Sequence, residues 1–209
     1  LARTGTGAGL FNQVEGSPWP VFCGGGASHR RAAIALGCNE GETVDVMERV
    51  LDPANGIPPI RVDSAAWEAN TVRGDDLDTA LLPIPTHSRG DGGAFITGAV
   101  TVARDPISGR GNLSYNRMLR LDEHTFGFNV NEWRDVGTFW KSRDDPDAPF
   151  PIALAIGLDP AIMIAAGVKT PVDELFIAGA IRDRGVEIRQ GLTIDVDIPA
   201  AAEIVVEGL

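Results

Sequence analysis

Apolar and polar positions along the chain fall into short runs divided by glycine and proline, and these runs predict more strands than helices. Residues 10–22 predict a strand, a Gly-Ser-Pro turn and a second short strand. Residues 28–36 predict a short helix stopped by Gly37, and Thr43–Leu51 a second one capped by Thr43. Residues 52–59 form a Pro- and Gly-rich loop, and residues 63–78, polar and without period, predict a connector. From Ala80 onward β signals dominate. Residues 95–103 and 112–121 are rich in β-branched or aromatic side chains, with a hairpin-type connection at residues 105–109 between them. Residues 126–130 predict a further strand, 133–141 a short helix and 142–149 a loop. The longest apolar stretch, residues 150–168, has a length that would suit a membrane span, but Asp159-Pro160 splits it. It therefore predicts a buried strand, a turn with Asp159 as N-cap and Pro160 at the first helical position, and a buried helix. Residues 174–180, 186–190, 193–198 and 203–206 predict strands. The sum is an α+β, β-rich fold: a barrel-like sheet with flanking helices over residues 79–209, preceded by part of a small α/β region and connector over residues 1–78.

The chain has 209 residues, enough to bury a substantial core. Its net charge of −11, without a basic patch, argues against nucleic acid or an anionic membrane as partner. Cys23 and Cys38 have no CxxC spacing and predict reduced, buried thiols in a cytoplasmic protein. No signal peptide is visible. Leu1 is not an initiator methionine, and the last residues stop inside a strand-like pattern, so the sequence reads as an excerpt of a longer polypeptide.

Asn112, Arg117 and Glu174 are the residues best suited to chemistry. An Asn carbonyl and a Glu carboxylate suit a hard divalent ion, and a guanidinium can hold a phosphate or carboxylate through two bonds. Bottom-up the signal is weak. A spacing of five puts Asn112 and Arg117 on opposite faces of a regular strand, so a shared site needs a bulge or a strand end between them. Taken alone, an Asn at a turn and an ordinary strand Arg explain the pair.

The segment LPIPTHSRGDGGAFITGAVTVARDPISGRGNLSYNR, followed by DPAIMIAAG, TPVDELFIAGAI and IPAAAEIVVEG, resembles the flavin-binding domain of the UbiD-type decarboxylases. The resemblance runs through nearly all the chain and is densest from Leu82 to Gly208. It implies a split-barrel-like domain that binds prenylated FMN, and a carboxy-lyase acting on an aromatic or α,β-unsaturated carboxylic acid. Residue by residue, it implies that NLSYNR supplies the cofactor contacts Asn112, Ser114, Tyr115, Asn116 and Arg117. Asn112 and Glu174 would hold a divalent metal, Mn2+ or Mg2+, on the cofactor phosphate. The backbone of Ala165 and Ala166 would help hold a monovalent cation, K+ or Na+. Arg117 would be catalytic, in a network with two Glu residues. It further implies a flavin prenyltransferase as cofactor supplier and a homo-oligomer of the full-length protein.

Two departures stand out. The family's metal-ligand His has no counterpart in FGFNVNEWRDVG, where Trp133 and Arg134 fall; Arg134 cannot ligate a cation, so the metal has fewer protein ligands or is replaced by a guanidinium–phosphate contact. The family's two catalytic Glu residues are expected beyond Leu209, in the same polypeptide or on a partner chain carrying the C-terminal part. Glu203 and Glu207 read as strand residues and not as their substitutes. A non-catalytic flavin-binding module, a split enzyme and an FMN-dependent reductase remain alternatives. His124 reads as a turn residue, His87, Ser88 and Asp91 as loop polarity, and Trp19, Trp67, Trp133 and Trp140 as core or interface residues.

Overall fold

The computed structural model describes residues 7–145 and 147–209; Leu1 and Pro146 lie outside the described residues. In chain order the main elements are β1 (Gly9–Phe11), β2 (Val21–Cys23), α1 (His29–Leu36), α2 (Thr43–Leu51), β3 (Ile60–Arg61), β4 (Phe95–Ile96), β5 (Val100–Arg104) and β6 (Gly111–Ser114). They continue with β7 (Met118–Arg120), β8 (Phe126–Phe128), α3 (Asp135–Lys141), β9 (Ile152–Ile156), α4 (Pro160–Ala165), α5 (Glu174–Arg182), β10 (Glu187–Gln190), β11 (Asp197–Pro199) and β12 (Ile204–Gly208). The fold is α+β, as the pattern predicts. No sheet closes into a barrel among the described residues: the strands form four open sheets.

The chain divides into two compact units that interleave along the sequence: residues up to 46, 72–96 and 117–128 in the first, and 47–71, 97–116 and 129–209 in the second. In the first unit β1 and β2 form an antiparallel hairpin, and β4, β7 and β8 a three-stranded antiparallel sheet. Helix α1 begins where the Ser28 hydroxyl accepts from Arg31 N and ends where Gly37 takes a left-handed φ of 70°. The cap of α2 differs from expectation. Thr43 lies inside the helix, and the preceding turn is closed by the Glu42 carboxylate, which accepts from Asn39 N at 2.9 Å. Cys23 is exposed instead of buried, and both cysteines are free.

The second unit is built on a four-stranded antiparallel sheet in the order β12-β9-β5-β6, with β6 at the edge. Its middle is apolar except for Thr101: Val100, Ala153 and Ala155 likewise have no exposed surface. A smaller sheet, β11-β10-β3, has β3 joined in parallel. Helix α4 starts as its sequence predicts, with the Asp159 carboxylate accepting from Ala161 N at 2.7 Å and Pro160 in the first turn.

Four strand expectations are corrected, one of them at residues 193–198, of which only the last two lie in a strand, β11. Residues 95–103 form two strands in different sheets, interrupted at Thr97-Gly98-Ala99, and residues 112–121 likewise break between β6 and β7. Residues 174–180 are not a strand but the body of α5. Asp173 caps that helix, accepting from Leu175 N at 2.9 Å, and seven of its nine residues are buried. A short helix apolar on nearly every face has no 3.6-residue alternation to distinguish it from a buried strand.

Candidate functional site

Strand β6 carries Asn112 at the edge of the four-stranded sheet, and the first residue of α5 is Glu174. Although 62 positions apart, they meet. Asn112 Nδ2 donates to Glu174 Oε1 at 3.2 Å and Oε2 at 3.3 Å, and Leu113 N donates to Glu174 Oε2 at 2.8 Å. Both side chains are buried, 4% exposed for Asn112 and 2% for Glu174. The edge strand lends an unpaired N–H to a carboxylate that also sits at a helix start, where negative charge is favoured.

The electrostatics are unbalanced. Burial pushes the Glu174 carboxyl up to about 7, the Leu113 N–H opposes that, and the neighbouring Asp173 and Asp135 carboxylates add to it. Asp173 is also raised, by its own burial. No cationic side chain is bonded to Glu174 among the described residues. Asn112 Oδ1 is buried with no hydrogen-bond partner there. A buried carboxylate beside an unsatisfied amide oxygen is a donor set for a hard cation, which would neutralise the first and satisfy the second.

Asp173 and Gly111 fix the approach of α5 to β6. A Cβ on Gly111 would collide with Asp173 Oδ2. Gly111→Ala is therefore expected to displace the Asp173 carboxylate from its cap on α5 and destabilise the protein by about 0.5–2 kcal/mol, read as a lowered denaturant midpoint.

The other predicted positions divide. Ser114 Oγ donates to Asn116 Oδ1 at 2.9 Å across the end of β6. Tyr115 OH donates to the Met163 carbonyl at 2.9 Å, tying this segment to α4, whose last turn holds the buried Ala165 and Ala166. The Ala165 carbonyl accepts from Val168 N at 3.0 Å. Arg117 belongs to the first unit, where its exposed guanidinium lies 5.6 Å from the centre of the Phe95 ring. The strand break demanded by the spacing of Asn112 and Arg117 is present, between Ser114 and Met118.

The residues set aside behave accordingly. Glu207 accepts from Leu192 N and Thr193 N, each at 2.7 Å, and closes the loop after β10. His124 N donates to Asp122 Oδ1 in a turn, and Ser88 N to Asp91 Oδ2 in another. Trp133, expected in a core or interface, is 90% exposed. No group of three or more His, Cys, Asp or Glu suited to a metal occurs among the described residues. Three residues escape the sequence pattern: Thr101, Arg110 and Asp173. Only Asp173 had a legible signal, an acidic residue two positions after Pro171 at a helix start.

The fold belongs to a known class. Residues 60–209 match the model of the UbiD family, the 3-octaprenyl-4-hydroxybenzoate carboxy-lyase Rift-related domain. The chain belongs to that family. It is 28% identical over 201 residues to the anhydromevalonate phosphate decarboxylase of Methanothermobacter thermautotrophicus, covering 95% of this chain and 46% of that protein. It is similar to the UbiD-class enzyme HmfF from Pelotomaculum thermopropionicum, solved in complex with FMN, with a TM-score of 0.90 and 33% identity over 98% of this chain and 46% of that one. An evolved dimeric form of HmfF was solved with prFMN; the TM-score is 0.88, with 33% identity over 98% of this chain and 48% of that one. The 3,4-dihydroxybenzoic acid decarboxylase AroY of Klebsiella pneumoniae matches with a TM-score of 0.88 and 30% identity over 96% of this chain and 43% of that one. The chain thus spans about half the length of the relatives it matches. No helix among the described residues is long and apolar enough to cross a membrane.

Proposed function

We propose that this chain is the N-terminal part and flavin-binding domain of a cytoplasmic UbiD-class enzyme that decarboxylates an aromatic or α,β-unsaturated carboxylic acid with prenylated FMN. The cofactor-binding domain comprises residues 79–209, and residues 1–78 precede it as a partial α/β region. The observation that carries this reading is the buried Asn112–Glu174 pair with an unsatisfied Asn112 Oδ1, in a chain of a family with a flavin-bound relative.

Asn112 and Glu174 fit a divalent ion, Mn2+ or Mg2+, because both can present oxygen in a dry setting. The backbone at Ala165 and Ala166 offers carbonyl oxygens to a monovalent ion, K+ or Na+. Ser114, Tyr115 and Asn116 would contact the cofactor from the same segment. Bound prenylated FMN would supply the electron sink for the pair left behind as CO2 departs. Arg117 pairs with the substrate carboxylate and orients it, its guanidinium kept in place over Phe95. The proton that replaces CO2 comes from a Glu outside these residues, in the same polypeptide or on a partner chain. A flavin prenyltransferase provides the cofactor, and the intact protein is a homo-oligomer.

The test is CO2 release by the intact protein, loaded with prenylated FMN and Mn2+, from a panel of aromatic and α,β-unsaturated acids. Asn112→Ala should co-purify with at least tenfold less flavin than the parent. Absence of CO2 from every acid, or undiminished flavin in Asn112→Ala, overturns the reading.

A further inference from the structure

Three buried side-chain atoms lack a hydrogen-bond partner among the described residues: Thr101 Oγ1, Arg110 Nη1 and Asn112 Oδ1. Their positions are not scattered. In the β5–β6 ladder Thr101 faces Ser114 and Ala103 faces Asn112. The ladder continues one pair further, because Asp105 N donates to the Arg110 carbonyl at 2.8 Å. Residues opposite each other share a face, and so do alternate residues along a strand. Thr101, Arg110 and Asn112 therefore all project from one face of two adjacent strands. Asn112 is the diagonal neighbour of Thr101, with backbone positions about 7–8 Å apart. Arg110, just before β6, is two residues from Asn112, about 7 Å along the extended chain.

An unsatisfied buried polar atom is costly, and each has an apolar replacement of similar shape. Thr101 has no exposed surface, and Val at that position would fit the sheet equally well. Arg110 is held at its outer side: Nη2 donates to Asp135 Oδ2 at 3.0 Å, and the guanidinium lies 5.2 Å from the centre of the Phe139 ring. This clamp fixes the fork and leaves Nη1 unused. The three free groups are a guanidinium N–H donor, a hydroxyl that can donate, and a carbonyl that can only accept. Together they form the complement of a phosphate monoester with an accompanying cation: the donors suit phosphate oxygens, and the carbonyl suits the metal.

We propose that Arg110 and Thr101 contact the phosphate of the bound flavin directly, beside the cation held by Asn112 and Glu174. This inference rests on the proposed flavin site. Arg110 would thereby supply the guanidinium–phosphate contact that the sequence suggested for Arg134, while the Arg134 side chain makes no capping bond to α3.

The contact is tested by comparing FMN with riboflavin, which lacks the phosphate, by fluorescence titration of the intact protein in Mn2+. The parent should prefer FMN at least 100-fold. Arg110→Met and Arg110→Lys should each reduce that preference tenfold or more, and Thr101→Val about threefold or more, with riboflavin affinity unchanged in all three. Arg110→Lys keeps the charge but loses the fork, and Thr101→Val keeps the shape, so Thr101→Val decides if loss of the Asp135 clamp prevents folding of the Arg110 variants. A parent that binds neither flavin overturns the flavin reading and this inference together. A parent that prefers FMN, with variants that retain the full preference, overturns this inference alone.

Discussion

Arg117→Ala is expected to cut CO2 release by about 100-fold or more, the loss that follows when a group that positions the reacting carboxylate is removed, while flavin stays bound. The expectation follows from where Arg117 stands. Its side chain is exposed, it has no ion pair among the described residues, and its contact there is the Phe95 ring at 5.6 Å. A guanidinium with no ion pair among the described residues has its donor fork open to a substrate carboxylate. Truncation leaves the buried Asn112–Glu174 pair intact, since neither residue bonds to Arg117. The measurement is CO2 release under saturating substrate, with flavin content read from absorbance on the same sample. Arg117→Lys should recover only part of the loss, because an ammonium provides charge without the planar fork. Full activity in Arg117→Ala would remove Arg117 from the chemistry. Loss of flavin in proportion to activity would reassign it to cofactor retention.

How much of this could be read from the chain depends on the kind of signal. Caps and breakers are local, and most were legible: Gly37 ends α1, and Asp159 with Pro160 opens α4 as their chemistry requires, whereas Thr43 was misplaced as the cap of α2. The strand break between Asn112 and Arg117 could be stated as a requirement, but not located, because Ser114-Tyr115-Asn116 holds no glycine or proline to mark it. Helix α5 was misread because burial on nearly every side erases periodicity. The meeting of Asn112 with Glu174 is a tertiary fact across 62 positions, and only the family resemblance anticipated it. Thr101 and Arg110 were invisible because their interest lies in the partners they lack, and no spacing records that.

Glu174→Gln is expected to change the pH dependence of stability in the metal-free protein and to abolish stabilisation by Mn2+. Burial raises the Glu174 carboxyl from its ordinary 4.5 to about 7. Between those values the folded protein holds a proton that the unfolded chain has released. The neutral acid therefore favours folding fully below pH ~4.5, and that contribution is lost as pH rises through about 7. At 1.36 kcal/mol per pH unit, the displacement from 4.5 to about 7 corresponds to about 3 kcal/mol. Gln is neutral at every pH, can accept from Leu113 N as Glu174 Oε2 does, and can turn its NH2 towards Asn112 Oδ1. Metal-free Glu174→Gln should thus be more stable than the parent at pH 8, by up to about 3 kcal/mol, and nearly equal to it at pH 4.5. Mn2+ should reverse the order. A cation at 100 times its dissociation constant stabilises the parent by about 2.7 kcal/mol, whereas the variant has lost its anionic ligand and should gain little. Urea midpoints of the intact protein at pH 4.5 and pH 8, with and without Mn2+, read all four states. Parallel pH profiles without metal would mean that Glu174 titrates like an ordinary carboxylate, and equal Mn2+ stabilisation of both proteins would mean that the cation binds elsewhere.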